Sequence, residues 1–518
     1  MDVGPIVFWS GGGGSAPPPT FSDKFAPKYL VGNALAGDGN STSVAGFTYI
    51  LDPGDGSGIQ LALGQPNGSG DVYVRPGTYV PVNPLLLTVP AGVRVVGAGR
   101  SATLLTGITF TMQQGSSLEG MTVSFDSGTG ITATDPSSNI TLTDLLLEVN
   151  GAASQGIYFA GPGFINAPFE QPIALNGVQI DITVPGAVGV FADMGSFVTF
   201  KNLAISGGGE SLRVEGDSAV FGLFGLFSDS SVAGVNCRNG TGSAPVRLEE
   251  TVILSDISIQ LQGKVDSFRF HNCYVIANTA AIEASTGEVT GLVCTGCTFI
   301  APSDIVGLGV SGTNQVIFDS CTFTASNGPC LTLGGSASDI TLSSCQFNSN
   351  AGPALATTVA VTATGCTFRS SSSYAAEISG TGSNISGCTF ISQGSAPQAL
   401  SVSGTNNVFT GTYVLGPDVG ANCSVLITGS GHIFSSLAAT ITDLVIPNAV
   451  SVSGNEVSLT SLRTSTPSAL QPGVVFDISS SDNILLGLNA RGPSTPIAVT
   501  DLGTGNEIAH VVGTNWPT

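Results

Sequence analysis

The sequence contains little charge. Only 9% of its 518 residues are charged, and 14 Lys and Arg stand against 35 Asp and Glu, which gives a formal net charge of −21. Such a chain repels nucleic acid and anionic membrane surfaces, and it has no cationic surplus for binding phosphates. We therefore expect no nucleic-acid partner. Hydroxyl and amide side chains must supply most of the polarity.

Long apolar runs and a secretory signal are also lacking. The opening residues, MDVGPIVFWSGGGGSAPPPTFSDKF, have neither the basic start nor the apolar core of a signal peptide, and no run of about 18 apolar residues follows. We expect a protein that is made in the cytoplasm and does not insert into a membrane. The ten cysteines of such a chain are expected to be reduced thiols.

Motifs for metals, cofactors and nucleophiles are weak. The C-x-x-C pair Cys294 and Cys297 has no second pair and no histidine motif beside it, so we predict core packing, no metal site and no cofactor. Asp144, Asp256 and Asp319 fall in bends of separate repeats, which argues against a calcium cluster. No serine-nucleophile signature accompanies the three histidines, His271, His432 and His510.

What the sequence does contain is a repeat. Segments such as VIFDSCTFTA recur with a cysteine at the same place, and the anchors are Cys273, Cys297, Cys321, Cys345, Cys366 and Cys388. Apolar residues occupy positions −3, 0 and +2 around each anchor, which indicates two short strands meeting at a bend. A phenylalanine commonly follows at +2, as in Phe299, Phe323, Phe347, Phe368 and Phe390. Elsewhere aliphatic residues such as Leu145, Val178 and Leu203 take the anchor position.

A period near 23 residues, with short strands and no helical segment, is typical of a parallel β-helix. Division of the array by this period predicts about 18 coils, and a strand spacing of about 4.8 Å makes the rod roughly 85 Å long. Right-handed winding is expected for parallel crossovers. The predicted fold class is therefore all-β: a right-handed parallel β-helix with a short N-terminal arm and cap.

Composition and spacing suggest three regions. Residues 1–45 form an arm rich in Gly and Pro, residues 46–97 form the first strands and a cap, and residues 98–518 form the β-helix. A short amphipathic segment at Ile59 to Leu63 is expected to cover the first coil. The spacing fails near 149–172 and 206–250, where we predict loop insertions. Between Leu203 and Cys273 the anchors are ambiguous, and Leu226 is one candidate.

The start of the array resembles the pectin-lyase-like right-handed β-helix superfamily. DVYVRPGTYV is similar to its first strand, and PAGVRVVGAG is similar to the start of its first full coil. The resemblance covers about residues 45–518 and is specific for the fold. It implies little about function, because this fold carries lyases, hydrolases, epimerases and adhesins that are not enzymes.

Within that superfamily, a β-helix with a short N-terminal arm and no signal most resembles the bacteriophage tailspike proteins. The resemblance implies a homotrimer in the virion tail, synthesised in the host cytoplasm. It further implies that residues 1–45 dock to a phage tail or adaptor protein and that the β-helix recognises a host surface glycan, either lipopolysaccharide O-antigen or capsule.

Candidate site residues lie where the repeat is irregular. Glycosidases need two carboxylates on either side of the scissile bond, and equal positions on neighbouring coils lie about 4.8 Å apart. The candidate catalytic acids are Glu170, Glu210, Glu215 and Asp217. Aromatic rings can stack on sugars, so the candidate glycan-binding residues are Tyr158, Phe159 and Phe164.

Three functions remain open from the sequence. The first is a tailspike-like receptor-binding protein that recognises a bacterial polysaccharide without cleaving it. The second is a tailspike depolymerase, a glycosidase or lyase that cleaves this glycan with paired carboxylates. The third is a structural virion or surface protein that binds no glycan.

Overall fold

The structure of this chain is a computed structural model that describes most of the sequence. The described residues are 28–36, 48–65, 70–133, 139–161, 172–238, 245–262, 265–286, 289–302, 305–308, 314–335, 337–393, 398–416, 423–441, 448–466, 472–491 and 498–512. They form a right-handed parallel β-helix, as predicted. Among the described residues, no helix is long and apolar enough to cross a membrane. The α-helix α1 has only seven residues.

The elements follow one another in chain order. The first part contains β1 (Lys28–Asn33), η1 (Ala34–Ala36), β2 (Thr48–Asp52), α1 (Ser57–Leu63), β3 (Gly70–Val74), β4 (Gly77–Tyr79), β5 (Leu85–Val89), β6 (Val93–Gly97), β7 (Thr103–Thr106), β8 (Ile108–Met112), β9 (Ser117–Phe125), β10 (Thr129–Ala133), β11 (Thr141–Val149), β12 (Gln155–Ala160), β13 (Ile173–Asn176), β14 (Gln179–Ile182), β15 (Val188–Asp193), β16 (Phe197–Gly207), β17 (Glu210–Glu215) and β18 (Ala219–Arg238). The middle part contains β19 (Val246–Glu249), β20 (Val252–Gln262), β21 (Val265–Asp266), β22 (Phe268–His271), β23 (Tyr274–Thr286), β24 (Val289–Thr290), β25 (Val293–Thr295), β26 (Thr298–Ala301), β27 (Val306–Leu308), β28 (Asn314–Asp319), β29 (Thr322–Ala325), β30 (Leu331–Leu333), β31 (Ser338–Ser343), β32 (Gln346–Ser349), β33 (Leu355–Thr357), β34 (Val361–Thr364), β35 (Thr367–Ser370), β36 (Ala376–Ile378), β37 (Asn384–Ser386) and β38 (Thr389–Ser392). The last part contains β39 (Leu400–Val402), β40 (Val408–Thr410), β41 (Tyr413–Leu415), β42 (Cys423–Ile427), β43 (Ile433–Ser435), β44 (Ala438–Thr440), β45 (Asn448–Val452), β46 (Ser458–Ser465), β47 (Val474–Phe476), β48 (Ile484–Arg491), β49 (Val499–Asp501) and β50 (Glu507–Val512).

Each turn of the solenoid adds one strand to each of three sheets. In one representative level, β28 lies in the first sheet, β29 in the second and β30 in the third, and each pairs in parallel with the next level. The solenoid has about 16 turns, slightly fewer than the coil number expected from the period. Some levels are longer than the assumed period: Leu146 pairs directly with Gln179, 33 residues further on.

The bend between the first and second sheets is the most regular feature of the backbone. The residue before each anchor has a left-handed conformation, as in Asn272 (φ 51°), Gly296 (φ 64°), Ser320 (φ 55°) and Ser344 (φ 52°). Glycine and asparagine adopt this conformation most readily. We call this vertical series of residues the bend column. From Gly120 to His510 it marks the anchor of each described level, including levels whose anchor sequence is unusual.

The core between Cys273 and Cys388 consists of stacked identical side chains. The rings of Phe299, Phe323, Phe347, Phe368 and Phe390 lie nearly parallel, with centroids 5.0, 4.6, 4.9 and 5.1 Å apart in succession. All ten cysteines are buried and unpaired. The Sγ of Cys321 contacts the carbonyl oxygens of Cys294 and Asp319 at 3.3 Å each. These thiols therefore fill space beside the bend, where a small side chain with a weak donor fits.

Cys294 and Cys297 follow the same rule. Both are buried in the core, as predicted for this C-x-x-C pair. Burial raises the pKa of the Cys294 thiol well above its ordinary value. Because the thiolate is the form that reacts and binds metals, the folded protein keeps this thiol inert.

A polar stack interrupts the apolar core nearer the C-terminus. Asn407, His432 and Asn483 are fully buried. The side-chain oxygen of Asn483 accepts the Val457 N–H at 2.8 Å, and Nδ1 of His432 accepts the Asn407 N–H at 3.3 Å. The Nε2 atom of His432 lies 2.7 Å from the Thr428 carbonyl oxygen, so it carries the proton and donates. His432 is thus held neutral in a position that asparagine fills elsewhere.

The first coil is closed by α1, as expected from the Ile59 to Leu63 segment. Ile59, Ala62 and Leu63 are buried against the first strands. The fully buried carboxylate of Asp52 holds the chain before the helix, because its two oxygens accept N–H groups from the loop and the first helical turn, including Gly54 at 2.7 Å and Gly58 at 2.8 Å. This network satisfies backbone donors that a helix start leaves unpaired.

The predicted arm is shorter than expected. Residues 1–27 and 37–45 lie outside the described residues. Strand β1, however, pairs in parallel with β2 and β3, and Val31 and Asn33 are fully buried. The run Tyr29 to Val31 is rich in residues that favour strands, and burial of Val31 against the first coil explains the pairing. Residues 28–36 therefore belong to the β-helix.

The two predicted insertions also differ from the structure. In the first, β12 pairs with β10 and β15 inside the solenoid, and residues 162–171 lie outside the described residues. The second, 206–250, is largely regular, because β17 and β18 occupy consecutive levels there. The prediction of a loop was wrong at these strands. The 20-residue strand β18 runs through two corners without the Gly or Asn clusters that mark other levels.

The anchors that were ambiguous in the sequence between Leu203 and Cys273 are Gly225 and Thr251. Gly225 pairs with Leu203, and Leu226 pairs with Val252 one position later, so the expected anchor Leu226 was wrong by one residue. The ring of Phe200 from the preceding level fills this part of the core. A Cβ on Gly225 would lie 3.1 Å from that ring and 2.8 Å from the Thr251 methyl group. Glycine is therefore required by close packing, which hides the anchor in the sequence.

Candidate functional site

A group of ion pairs lies on the third sheet, in the part of the chain where the repeat is hardest to see in the sequence. Here β12, β15, β17 and the ends of β18, β20 and β23 stack in order. Outward-facing residues at one position of these strands form what we call the outer row: Tyr158, Phe191, Arg213, Asn236, Gln260 and Glu283. The inward neighbours, such as Leu212 and Val235, are fully buried. Strand alternation therefore directs the outer row away from the core, and neighbouring side chains cover Phe191 and Asn236 within it.

Glu210 is the centre of a charged network beside the outer row. Its side chain is only 4% exposed. One carboxylate oxygen accepts from Nε of Arg213 at 2.5 Å. The other accepts from Arg238 and from the Asn236 side-chain amide, the latter at 3.1 Å. Two guanidinium groups and one amide therefore converge on this buried carboxylate, as burial of charged side chains requires. Glu210 holds both arginines in place.

Glu215 has a different environment. Its Oε1 atom lies 4.0 Å from Nε of Arg213 and 4.0 Å from a terminal nitrogen of Arg238. Burial raises the pKa of Glu215, and the two arginines only partly counteract this effect. A carboxyl group with a raised pKa is suited to act as a general acid.

Asp193 is the carboxylate that accompanies Glu215. Ala192 pairs with Val214, so Asp193 and Glu215 occupy equal positions on neighbouring levels, about 4.8 Å apart along the stack. Asp193 accepts the Met194 N–H at 2.7 Å and the Tyr158 hydroxyl at 3.3 Å. The charge of Asp193 also contributes to the raised pKa of Glu215. This pair has the arrangement that was expected of stacked acids, although Asp193 was not among the candidates.

Two polar atoms in this network lack partners among the described residues. They are Oδ1 of the fully buried Asn236 and Nε of Arg238. The amide nitrogen of Asn236 is already engaged, since it donates to Glu210 and, at 3.0 Å, to Oε1 of Gln260. A buried acceptor and a buried donor without partners are costly, and a bound polar ligand would satisfy them.

The aromatic candidates divide into two groups. Tyr158 lies on the outer row, its ring centroid 5.2 Å from that of Phe191, and Arg213 covers the Phe191 ring at 5.2 Å. Burial, followed by the Asp193 charge, raises the pKa of Tyr158. Phe159 is fully buried, so its expected role in glycan stacking was wrong: it occupies the inward position next to Tyr158. Phe164 lies outside the described residues.

The remaining acid candidates are less central. Asp217 lies in the turn after β17 in a left-handed conformation (φ 61°) and is half-buried. Glu170 lies outside the described residues. Within the described part of the chain, no three His, Cys, Asp or Glu side chains are arranged to hold a metal ion.

Several site residues were missed by the sequence analysis. Arg213 and Asn236 are 23 residues apart, as are Glu215 and Arg238, and both pairs are in register on neighbouring levels. Polar residues that recur at one period in outward positions are the signal that identifies them. Local clusters of acids do not reveal contacts between levels.

Comparisons with known proteins give only distant structural likenesses. No protein-family model matches the sequence, and no curated protein matches it. The structure is similar to a mannuronan C-5 epimerase A-module of Azotobacter vinelandii (13% identity, TM-score 0.23, covering 88% of this chain and 96% of that chain). It is also similar to the catalytic domain of an α-1,3-glucanase (12%, 0.25, 97% and 71%) and to an open-reading-frame product of Geobacillus virus E2 (13%, 0.17, 88% and 59%). With TM-scores below 0.5, these likenesses carry no argument about this chain.

Proposed function

We propose that this chain is a tailspike-like receptor-binding protein that recognises a polysaccharide on a bacterial surface through the outer row and its charged network. The observation that carries the proposal is the pair of unsatisfied buried atoms, Oδ1 of Asn236 and Nε of Arg238, beside the Tyr158 and Phe191 rings. A sugar offers hydroxyl groups to such atoms and an apolar face to such rings.

The test is binding to extracted lipopolysaccharide and capsule from candidate hosts. Asn236→Ala removes the unsatisfied acceptor, and we expect at least about a tenfold loss of affinity, near 1.4 kcal/mol. Ser401→Ala is the matched control, because Ser401 occupies the outer-row position several levels away. Equal binding by both variants and the unaltered protein would place recognition elsewhere, and no binding to any host glycan would favour a purely structural protein.

Cleavage of the same glycan is the second candidate function, favoured by the Asp193 and Glu215 pair. Glu215 would protonate the leaving oxygen and Asp193 would act as nucleophile or base. The assay is release of reducing ends. Glu215→Gln and Asp193→Asn should each abolish release while binding persists. No release by the unaltered protein at high concentration, with binding retained, would exclude this function.

Assembly and attachment belong to the same proposal. A tailspike of this kind would be a homotrimer in the virion tail, joined to a tail or adaptor protein through the N-terminal arm. Because β1 is part of the β-helix, removal of residues 1–27 should leave a folded trimer that no longer joins virions. Removal of residues 1–36 should also destabilise the first coil. Sedimentation equilibrium and virion incorporation measure these outcomes.

A further inference from the structure

A cleft of about 340 Å³ lies at the corner between the second and third sheets, next to the outer row. Its lining includes Asp229, Ser231, Leu254, Asp256, Ile276 and Asn278. We call it the corner cleft. Its volume is at the lower end of the range of roughly 300–1,000 Å³ found for small-molecule pockets.

The corner cleft arises from the pairing register. Ser228 pairs with Leu254 and Ala233 with Ile257, so the corner is two residues shorter in β20 than in β18. The corner of the next level is one residue longer again, since Ser255 pairs with Ala277 and Ile257 with Ala280. The short corner at Asp256 is therefore recessed between two longer corners. Asn278 closes one side by donating to Oδ1 of Asp256 at 2.8 Å.

The lining combines charge with an apolar wall. Leu254 and Ile276 are half-exposed neighbours on adjacent levels of the second sheet. Asp229 and Asp256 take part in none of the ion pairs formed among the described residues. This differs from Glu210 and Glu215, which two arginines neutralise. A neutral ligand would desolvate both carboxylates of the cleft without compensation, whereas a cationic ligand would compensate them.

We propose that the corner cleft binds a sugar unit that carries a free amino group. In this arrangement the ammonium group lies between Asp229 and Asp256, Ser231 bonds to a ring hydroxyl, and the C–H face of the sugar contacts Leu254 and Ile276. The proposal rests on the proposed function, because Asp256 and the outer-row residue Gln260 lie on one strand at most about 13 Å apart. It narrows the recognised polysaccharide to one containing an unacetylated amino sugar.

The test uses glucosamine, glucose and N-acetylglucosamine as probes at pH 6, where the amine of glucosamine is protonated, with saturation-transfer NMR and calorimetry. We expect glucosamine to bind at least about tenfold more tightly than either of the others, and to bind more weakly as salt rises. Equal binding of the three sugars, or no binding of glucosamine at millimolar concentration, would overturn the proposal.

Variants locate the binding and separate it from the proposed function. Asp256→Asn and Asp229→Asn should each weaken glucosamine binding about tenfold, and Ser401→Ala should have no effect. Because Asp256→Asn could loosen the corner, circular dichroism and trimer mass are measured in parallel, and the exposed Asp229→Asn provides the second variant. Glucosamine binding that survives Asn236→Ala while polysaccharide binding falls would support two separate sites. Glucosamine binding that is lost in Asn236→Ala and kept in both Asp variants would overturn the assignment to the corner cleft.

Discussion

Two regions of one solenoid differ in how they use the same coil. Between Cys273 and Cys388 the interior repeats nearly unchanged from level to level, and the outward positions carry mostly Thr, Ser and Asn. Between Phe191 and Glu283 the anchors are Gly225 and Thr251, the register shifts at the corners, and charged side chains form the network around Glu210. The first region repeats one packing arrangement, and the second contains the charged network on which the proposed function rests.

Two regions of one solenoid can differ in this way because each level contacts mainly its neighbouring levels. In a solenoid, stability is approximately a sum of the terms for single levels and their interfaces. A regular region can therefore remain rigid while another accepts a short corner or a buried ion network. Substitutions in the first region should affect unfolding alone, and substitutions in the second should affect ligand binding as well.

The largest effect is expected in the phenylalanine stack. Phe347→Ala removes a fully buried ring that lies between two others, and a cavity of this kind costs about 3–5 kcal/mol. Urea unfolding measures the loss. Asn348→Ala, at the next and outward position, should stay within about 0.5 kcal/mol. If Phe347→Ala instead leaves stability intact and weakens glycan binding, the assignment of a purely structural role to the region from Cys273 to Cys388 is incorrect.

A smaller effect is expected at Glu210. Glu210→Gln replaces the acceptor shared by Arg213 and Arg238 with an amide, at a cost of about 2 kcal/mol, since hydrogen bonds to charged groups contribute roughly 1.5–3 kcal/mol. Glycan affinity should fall with it, because the released arginines no longer hold the outer row. Unfolding and binding are measured on the same sample. A loss of stability with unchanged affinity would separate the network from recognition.

A still smaller effect is expected at the cysteine anchors. Cys321→Ser exchanges a buried sulfur for a smaller oxygen that can still donate to the Cys294 or Asp319 carbonyl group, so we expect a cost of about 1 kcal/mol. Thermal unfolding checks this value. In the native protein a thiol reagent should label none of the ten buried cysteines until the chain unfolds. Selective loss of glycan binding in folded Cys321→Ser protein would contradict the structural role.

The smallest effect at neutral pH, and one that grows in acid, is expected at His432. Burial lowers the pKa of His432 in the folded state, whereas the unfolded chain has the ordinary value of about 6.5. The unfolded state therefore binds more protons as the pH falls below about 6.5, and stability is lost from there down towards the folded pKa. His432→Asn cannot titrate and should lose less stability between pH 7 and pH 5. Parallel melting curves that keep a constant difference would contradict this assignment.

Most of the fold could be predicted because the same residue types recur at the same position of each repeat. The Cys and Phe positions gave the period, and an apolar segment with suitable spacing gave the cap at α1. The failures at Leu226 and in 206–250 have two causes. Close packing of Phe200 demanded a glycine anchor, and a long continuous strand removed the turn residues that mark a level.

The candidate site was only partly predictable. Glu210 and Glu215 were identified, but the charge network depends on Arg213 and Arg238, and the Asp193 and Glu215 pair depends on register between levels. Phe159 was misassigned because a single aromatic cluster does not reveal which side of the strand faces the core. The period of the repeat predicts which residues on neighbouring levels lie in contact, and local composition does not predict these contacts.

The bend column has a consequence for the length of the rod. Between Gly120 and His510 each level begins and ends at a residue of the bend column with the same left-handed conformation. A whole level can therefore be duplicated or removed there without changing the direction of the chain at the joint. Natural or engineered variants can therefore differ in height by steps of about 4.8 Å. Such variants would carry the corner cleft nearer to or farther from the end that α1 closes, and would alter reach while leaving recognition unchanged.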